Sequence, residues 1–319
     1  MIPPVAHFLW FGRHLPWVYA LAVRSAAARG GFERVVLHHD DDLSASPGFR
    51  ELASLDRVET RRLDAEGLVA RAPGPGGPLV DLFRRLRAPA ARANVTRAAL
   101  LALEGGVYLD LDTVTVASLT PLREEASFFC GEERLVFPGE LKRSRSPLRW
   151  GAALGRTALR DLCRRAPEGW RHFRRIEHLY PRAANNAVLG AEPGHPLLLE
   201  LLARMAATPR ERQTVRFALG THLLQAVLAD AGRTDAARGL RVHGPPVFYP
   251  LGPEISEHWF RFTPRPRPLE ALLPDTRVVH WYASVRTEKV VGSIDPAYVR
   301  ENAGRQLFSA LARPLLEPR

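Results

Sequence analysis

The sequence is poor in cysteine, in lysine and in long apolar runs. Cys130 and Cys163 are the only cysteines among 319 residues, too few for a disulfide framework or a thiolate zinc cluster. No apolar run reaches the roughly eighteen residues of a transmembrane helix. Residues 1–10 contain neither the basic segment nor the small-residue cleavage site of a signal peptide. These absences predict a cytoplasmic protein in a reducing compartment.

Positive charge is carried almost entirely by arginine, since Lys142 and Lys289 are the only lysines in a chain of formal net charge +11. A basic protein invites a nucleic-acid interpretation. The arginines are scattered, however, and are not interleaved with aromatic residues on one element, so no specific nucleic-acid partner is expected. Two basic clusters, at 142–145 and 171–175, could attract an anionic acceptor or a membrane surface, or could simply be solvated faces.

The pattern of apolar residues predicts an α/β fold that begins with a parallel sheet. Strand, helix and strand patterns follow one another near the start of the chain, and a good helix precedes two glycines farther on. The later part is predicted to be helical and rich in loops, with two short strands and a final amphipathic helix. The predicted segments are 5–11, 16–29, 34–39, 91–103, 247–250, 277–282 and 298–312. No internal repeat or long linker divides the chain, so one domain is expected.

Asp110 and Asp112 end the short apolar strand that follows Gly105 and Gly106. The exit of a strand in an α/β sheet is where ligands collect. Neighbouring side chains of a strand alternate between its faces, so the two aspartates share one side only if the chain begins to turn there. Two hard oxygen donors at such an edge suit a divalent cation that holds a diphosphate. A strand end with two solvated acids is the simpler alternative.

Four segments together resemble one enzyme family. They are 94–112, which ends in the Asp-Leu-Asp motif; 2–12, an opening strand; 185–190 with His195-Pro196; and 248–250 with 279–281. In this order they are similar to glycosyltransferases with a DXD sugar-binding region. That group, which is similar to glycosyltransferase family 32, includes initiating α1,6-mannosyltransferases and α1,4-galactosyltransferases, and glucosylating bacterial toxins have related signatures.

The resemblance implies a GT-A fold with a Rossmann-like, nucleotide-sugar-binding half and a helical, loop-rich C-terminal half. Residues 1–116 would form the nucleotide-binding half of a single domain, and residues 117–319 the acceptor-binding and lid half. It also implies a nucleotide-sugar donor, with a UDP-sugar favoured over a GDP-sugar, a bound Mn²⁺ or Mg²⁺, an acceptor substrate and retention of the anomeric configuration. The oligomeric state is left open.

The resemblance also implies roles for the acidic pair and one histidine. Asp112 would bind the metal directly, and Asp110 would contact the ribose, or the metal through water. His280 would be the third protein ligand, because neutral imidazole is a common partner of carboxylates around Mn²⁺. A structural histidine beside Trp281 is the alternative.

The donor would be held by residues from several segments. Arg97 matches the arginine of the family that reaches the donor, because a guanidinium can bridge phosphate and sugar oxygens. Asn94 stands where the family usually has an aspartate that accepts hydrogen bonds from sugar hydroxyls, and this difference leaves the donor sugar open. Trp10 would stack on the nucleobase, and Phe8 and Trp281 are further donor-binding candidates.

The residues that govern retention are less defined by sequence. Retention requires either a nucleophile behind the anomeric carbon or a front-face mechanism in which the leaving phosphate takes the acceptor proton. Glu132, Glu133 and Asn186 are the nucleophile-side candidates, and Asn185 and Asn186 could face the donor or acceptor sugar. Asparagines also cap helices, so one of the two could do only that.

Two other classes fit part of the sequence. Asp110 to Val114 match the D-x-D-x-[TV] motif of haloacid-dehalogenase-like phosphatases, in which Asp110 would be the nucleophile. Those enzymes also need a later lysine and an acidic pair; Lys142 follows too closely, and no acidic pair follows Lys289. A non-catalytic, arginine-rich binding protein is the second alternative, and it leaves Trp10, the acidic strand end and His280 unexplained.

Overall fold

The computed structural model describes residues 1–138, 141, 144–213, 215, 217–232, 239–285 and 287–317. Lys142 and its neighbour 143, half of the first predicted basic cluster, lie outside the described residues. The strands are β1 Val5–Trp10, β2 Arg34–His39, β3 Val58–Arg62, β4 Gly106–Leu109, β5 Thr113–Thr115, β6 Phe128–Arg134, β7 Arg182–Ala191, β8 Leu240–His243 and β9 Val278–His280.

Helices cover both faces of the sheet and make up most of the remaining described chain. They are α1 Trp17–Arg29, α2 Pro47–Leu52, α3 Ala65–Arg71, α4 Gly77–Arg85, α5 Pro89–Glu104, α6 Thr120–Glu125, α7 Pro147–Arg165, α8 Gly169–Ile176, α9 Pro196–Ala206, α10 Arg210–Gln213, α11 Thr221–Ala231, α12 Pro245–Phe248, α13 Pro268–Ala271, α14 Glu288–Val291, α15 Pro296–Asn302 and α16 Leu307–Ala312. Short 3₁₀ turns lie at Glu177–Leu179, Ser256–Trp259 and Arg313–Leu315.

Seven strands form one sheet in the order β3-β2-β1-β4-β7-β6-β8. The first four in that order are parallel, whereas β7 runs antiparallel to both β4 and β6. The side chains of β1 alternate between two apolar clusters, so that Phe8 packs on the side of α1 and Leu9 on the side of α5. Burial on both faces is the rule for parallel sheets. The predicted α/β class, with a parallel first half and a helical, loop-rich second half, is confirmed.

Two local predictions in the C-terminal half are wrong. Residues 247–250 do not form a strand, because Pro245 and Pro246 lack N–H groups and begin the short helix α12 instead. The predicted final helix over 298–312 is two helices, α15 and α16. Between them Gln306 bridges to Phe262, and Thr263 donates its N–H to the Arg305 carbonyl at 2.7 Å, so the backbone there pairs with another segment.

A second, two-stranded sheet joins the C-terminal half to the end of the acidic strand. Strand β5 pairs antiparallel with β9, which places Thr113 opposite His280. The pairing continues on one side, where the Trp281 N–H donates to the backbone carbonyl of Asp112 at 3.0 Å. This small sheet is therefore what carries His280 to Asp112 across 168 residues of sequence.

A buried pair of histidines joins β1 to β2 beneath the start of the acidic strand. His7 Nε2 contacts the Gly105 carbonyl at 3.1 Å, which requires the proton there, and His38 Nε2 then donates to His7 Nδ1 at 3.1 Å. Burial lowers the pKa of His7 to about 4 and that of His38 to about 2, with Arg61 and Arg34 adding to the effect. The fold therefore holds both rings in the neutral form.

None of the helices in the part of the chain that the structure describes combines the length and the apolar composition needed to cross a bilayer.

Candidate donor and metal site

Two glycines position the acidic strand. Gly105 ends α5 with φ +65°, and a Cβ atom there would lie 2.6 Å from the ring of Pro193. Gly106 has φ +97°, and its Cβ would lie 2.7 Å from the Val5 carbonyl oxygen of β1. A side chain at either position would be strained and would collide, so glycine is required. The close approach of β4 to β1 sets where the chain leaves the sheet at Asp110.

Asp112 is held by the segment that follows β9. Its Oδ1 lies 2.9 Å from His280 Nε2, and its Oδ2 accepts the Ala283 N–H at 2.8 Å. Tyr282, between these two residues, has φ +59°, a left-handed conformation that non-glycine residues seldom adopt. This turn is what brings both the imidazole and a backbone N–H to one carboxylate, and such conformations cluster at functional sites.

Asp110 is held from the opposite side by Arg97 and Tyr108. The Arg97 Nη1 lies 3.1 Å from Asp110 Oδ1 and donates to the Asn186 carbonyl at 2.6 Å. Its guanidinium lies over the Tyr108 ring at 4.4 Å, and the Tyr108 hydroxyl donates to Asp110 at 2.6 Å. Arg97 was predicted to reach the donor; in this structure its side chain is only 7% exposed. Its contacts therefore position Asp110 and β7.

The pKa values of the two carboxylates shift in opposite directions. Burial raises the pKa of Asp110, and Arg97 opposes this rise. Burial acts in the same direction on Asp112, but His280 and the Ala283 N–H outweigh it and lower the Asp112 pKa below its usual range. Burial acts to lower the pKa of His280, whereas Asp112 raises it above the usual value overall. The two shifts favour ionised Asp112 beside protonated His280.

A cluster of buried polar residues lies beside His280, and sequence analysis identified only part of it. Glu133 Oε2 accepts from the Tyr282 hydroxyl and from Asn185 Nδ2, each at 2.8 Å. The Tyr249 hydroxyl donates to Asn185 Oδ1 at 3.3 Å, and the ring of Tyr282 lies 4.0 Å from that of His280. Tyr249 and Tyr282 were missed as site residues, because a tyrosine next to another aromatic residue in a short predicted strand looks like any core aromatic.

Asn94 and Asn186 meet across the gap between α5 and β7. The Asn186 Nδ2 donates to Asn94 Oδ1 at 2.9 Å. Gly220 lies against this pair, since a Cβ atom there would approach Asn94 Nδ2 to 2.9 Å. Both side chains remain partly exposed, and the Arg97 contact with the Asn186 carbonyl ties the pair to Asp110.

The residues present fit a divalent cation. Asp110, Asp112 and His280 each offer one ligand atom, and these atoms all lie within 4.8 Å of one another. Two carboxylates with one imidazole suit Mn²⁺, and carboxylates with water suit Mg²⁺. Coordination by His280 Nε2 would require the loss of the proton that this atom shares with Asp112.

One family description matches the chain. Residues 30–129, just under a third of the sequence, match the family described as "Glycosyltransferase sugar-binding region containing DXD motif". The matched segment contains Asn94, Arg97, Asp110 and Asp112. This part of the chain is therefore similar to the sugar-binding region of DXD-type glycosyltransferases.

The chain is also similar to solved glycosyltransferase structures. The PaToxG glycosyltransferase shares 13% identity over 72% of this chain and 69% of its own, with a TM-score of 0.46. Mouse xyloside xylosyltransferase 1 shares 15% over 86% and 97%, with a TM-score of 0.46. The galactosyltransferase LgtC shares 12% over 93% and 99%, with a TM-score of 0.38. These likenesses are too distant to carry any argument about the chemistry. Among proteins of curated function, none matches the sequence.

Three aromatic residues that were predicted to bind a nucleotide-sugar donor lie in different surroundings. Trp10 is half-buried at the end of β1, with its ring 5.2 Å from that of Tyr19, and its Nε1 is buried with no hydrogen-bond partner among the described residues. Phe8 is completely buried under α1, and Trp281 is 1% exposed and packs against Tyr19 and other aromatic rings. The structure brings neither Phe8 nor Trp281 to the surface of the site, because both complete the apolar core.

Nothing in the family match supports the phosphatase or the non-catalytic alternative. Asp110 as a phosphatase nucleophile would need an accessible oxygen beside a lysine, and its Oδ1 is instead held by Arg97 and Tyr108. Lys142 lies outside the described residues.

Proposed function

We propose that this protein is a metal-dependent, retaining hexosyltransferase that uses a UDP-sugar and transfers its hexose to an acceptor hydroxyl. The observation that carries the proposal is the convergence of Asp110, Asp112 and His280 on one point at the end of the acidic strand. These residues come from two distant segments, and only Asp110 and Asp112 lie within the part of the chain that matches the family. A two-stranded sheet and the left-handed backbone of Tyr282 hold these residues together. Such an arrangement is not expected of a chance cluster of surface acids.

The metal is held, in this proposal, by Asp112 and His280 directly, with Asp110 contacting the ribose or a metal-bound water. A divalent ion there would neutralise the charge that develops on the leaving diphosphate. The Ala283 N–H keeps Asp112 oriented, and Arg97 keeps Asp110 oriented, so that neither carboxylate needs to reorganise when the donor binds.

The donor sugar lies, in this proposal, against Asn94 and Asn186. Asn186 donates to Asn94, which leaves Asn94 with its own NH₂ group as a donor for a sugar hydroxyl. Trp10 is half-buried at the exit of β1, and in this proposal the exposed part of its ring stacks on the nucleobase end of the donor.

Retention proceeds, in this proposal, on the front face of the sugar. The Oε2 atom of Glu133 already accepts two hydrogen bonds, and Glu132 pairs with Arg182 at 3.1 Å. Both glutamate candidates are thus engaged with neighbouring side chains, and the third candidate, Asn186, is bonded to Asn94. On the front face, the bond from the anomeric carbon to the diphosphate oxygen breaks as the acceptor oxygen bonds to that carbon. The diphosphate takes the acceptor proton.

The two halves of the single domain divide these tasks in our proposal. Residues 1–116 supply Trp10, Asn94 and the two aspartates, and residues 117–319 supply Asn186, His280, the acceptor surface and a lid that excludes water. A cytoplasmic location is consistent with Cys130 and Cys163, which are both buried free thiols.

The experiment that tests the proposal compares Asp112→Asn with Asp275→Asn, a substitution of an exposed aspartate that is not one of the proposed site residues. Thermal stability is measured with UDP, GDP and their sugars, each with and without Mn²⁺, because a ligand at a hundred times its Kd adds about 2.7 kcal/mol. We expect Mn²⁺-dependent stabilisation by UDP that Asp112→Asn abolishes and Asp275→Asn retains. NMR of the product with the preferred donor then reports the anomeric configuration. Metal-independent binding that survives Asp112→Asn would refute the metal site, and an inverted product would refute retention.

A further inference from the structure

Helix α7 has its polarity reversed relative to an ordinary surface helix. The side that packs on the protein carries arginines, with Arg160 bonded to Glu254 at 2.7 Å and Arg164 paired with Glu257. The side that faces solvent carries leucines, of which Leu148, Leu154 and Leu162 are 87%, 63% and 66% exposed. A surface helix of a globular protein normally shows the opposite arrangement.

The exposed side of α7 is a continuous apolar face. At 100° per residue, an arc of roughly 120° contains only leucine, alanine and glycine. Its members include Leu148, Gly151, Gly155, Ala158, Leu159 and Leu162. Space is open above both glycines, since a Cβ atom at Gly151 or Gly155 would meet nothing within 4 Å. We call these residues the leucine face of α7. An exposed apolar surface of this kind marks an interaction site.

Unpaired positive charge borders the leucine face. Arg145 and Arg149 lie at its N-terminal end, and Arg165 lies at its C-terminal end; all three are exposed and have no acidic partner among the described residues. The segment 144–179 contains nine arginines and three acids. Of the acids, Asp161 and Glu168 pair with arginines, and Glu177 is half-buried.

We propose that the leucine face of α7 docks this protein on the surface of an anionic lipid bilayer. The leucines would enter the boundary between headgroups and acyl chains, and the bordering arginines would lie among anionic headgroups. A lipid surface accepts any apolar contour, which suits a face of leucine and glycine that lacks the aromatic anchors typical of protein interfaces. The positive border selects anionic lipid over neutral lipid.

The proposal is tested by sedimentation of the full chain with vesicles of phosphatidylcholine and with vesicles in which a third of the lipid is phosphatidylserine. The test variant is L148E/L162E, and the matched control is L269E/L273E, which changes two exposed leucines elsewhere. Both pairs leave buried residues untouched, and equal melting temperatures confirm equal folding.

We expect binding to the anionic vesicles that is at least tenfold stronger than to neutral ones and that falls with salt. L148E/L162E should lose at least a hundredfold in partitioning, and the control should keep it. A second variant, R145E/R149E, should lose about 25-fold or more on anionic vesicles, because each arginine contributes about fivefold. Equal binding to both lipids, absent binding, or unchanged binding by L148E/L162E would overturn the proposal. So would a lipid-free dimer that this variant dissociates, since a second copy would then cover the face.

Discussion

Substituting Arg97 by methionine separates a role in positioning Asp110 from a role in binding the donor. Methionine has a similar length and helix propensity, so α5 itself should tolerate the change. The structure predicts a large loss of stability without any donor present. The substitution leaves the carboxylate of Asp110 buried without its cation and the Asn186 carbonyl without its donor.

The expected size of this loss follows from the burial of the pair. Removing one partner of a buried ion pair costs about 3–5 kcal/mol. Because the Asp110 side chain is still 26% exposed, we expect a loss at the lower end of this range, about 3 kcal/mol. With an unfolding entropy of about 2.1 cal/mol/K per residue, this corresponds to a Tm lower by about 4–5 °C.

The assay is chemical unfolding of the apo protein together with a double-substitution cycle. Asp110→Asn removes the charge that Arg97 neutralises, so Arg97→Met/Asp110→Asn should lose less than the sum of the single losses, by about 1–3 kcal/mol. If Arg97→Met abolished transfer but changed the free energy of unfolding by less than about 0.5 kcal/mol, Arg97 would act on the donor and our account of its contacts would be wrong.

Three further outcomes are expected. Asn94→Asp should change the ratio of transfer rates between donor sugars more than it changes nucleotide affinity, as competition assays with paired donors would show; altered UDP binding alone would contradict this. His280→Ala should weaken Mn²⁺ affinity and lower the transfer rate together, because the proposed third ligand of the metal and a neighbour of Asp112 are lost at once; unchanged Mn²⁺ affinity in calorimetry would count against it. His7 and His38 have lowered pKa values, so the folded state binds fewer protons than the unfolded state below pH 6.5. Stability should fall by about 1.4 kcal/mol per histidine at pH 5.5. His7→Gln/His38→Gln should flatten that part of the unfolding-versus-pH curve, and an unaltered slope would refute the assignment.

The first half of the fold could be predicted because its signals are local. The strand over 34–39 and the helix ending before Gly105 follow from apolar periodicity and from the glycines that end each element. The acidic pair at a strand exit was visible for the same reason. The predicted convergence of His280 with Asp112, by contrast, came from resemblance, because 168 residues separate them.

The surroundings of individual site residues could not be read from the sequence. A helical arginine such as Arg97 looks solvated until β7 places the Asn186 carbonyl against it. Strand alternation could have predicted the burial of Trp281. Because His280 and Trp281 are neighbours in a strand, their side chains face opposite sides, so a His280 that faces the ligand requires a Trp281 that faces the core. Tyr282 contacts Glu133 while its backbone is left-handed, and a left-handed conformation cannot be predicted from a tyrosine in the sequence.

Because β5 pairs with β9, the proposed metal site can be completed only late in the synthesis of this protein. At 5–20 residues per second, the 168 residues from Asp112 to His280 take about 8–34 s to be added. Throughout that interval the nascent chain contains both aspartates but neither the His280 imidazole nor the Ala283 N–H. We therefore expect a ribosome-bound chain to lack the proposed metal site until translation has passed β9.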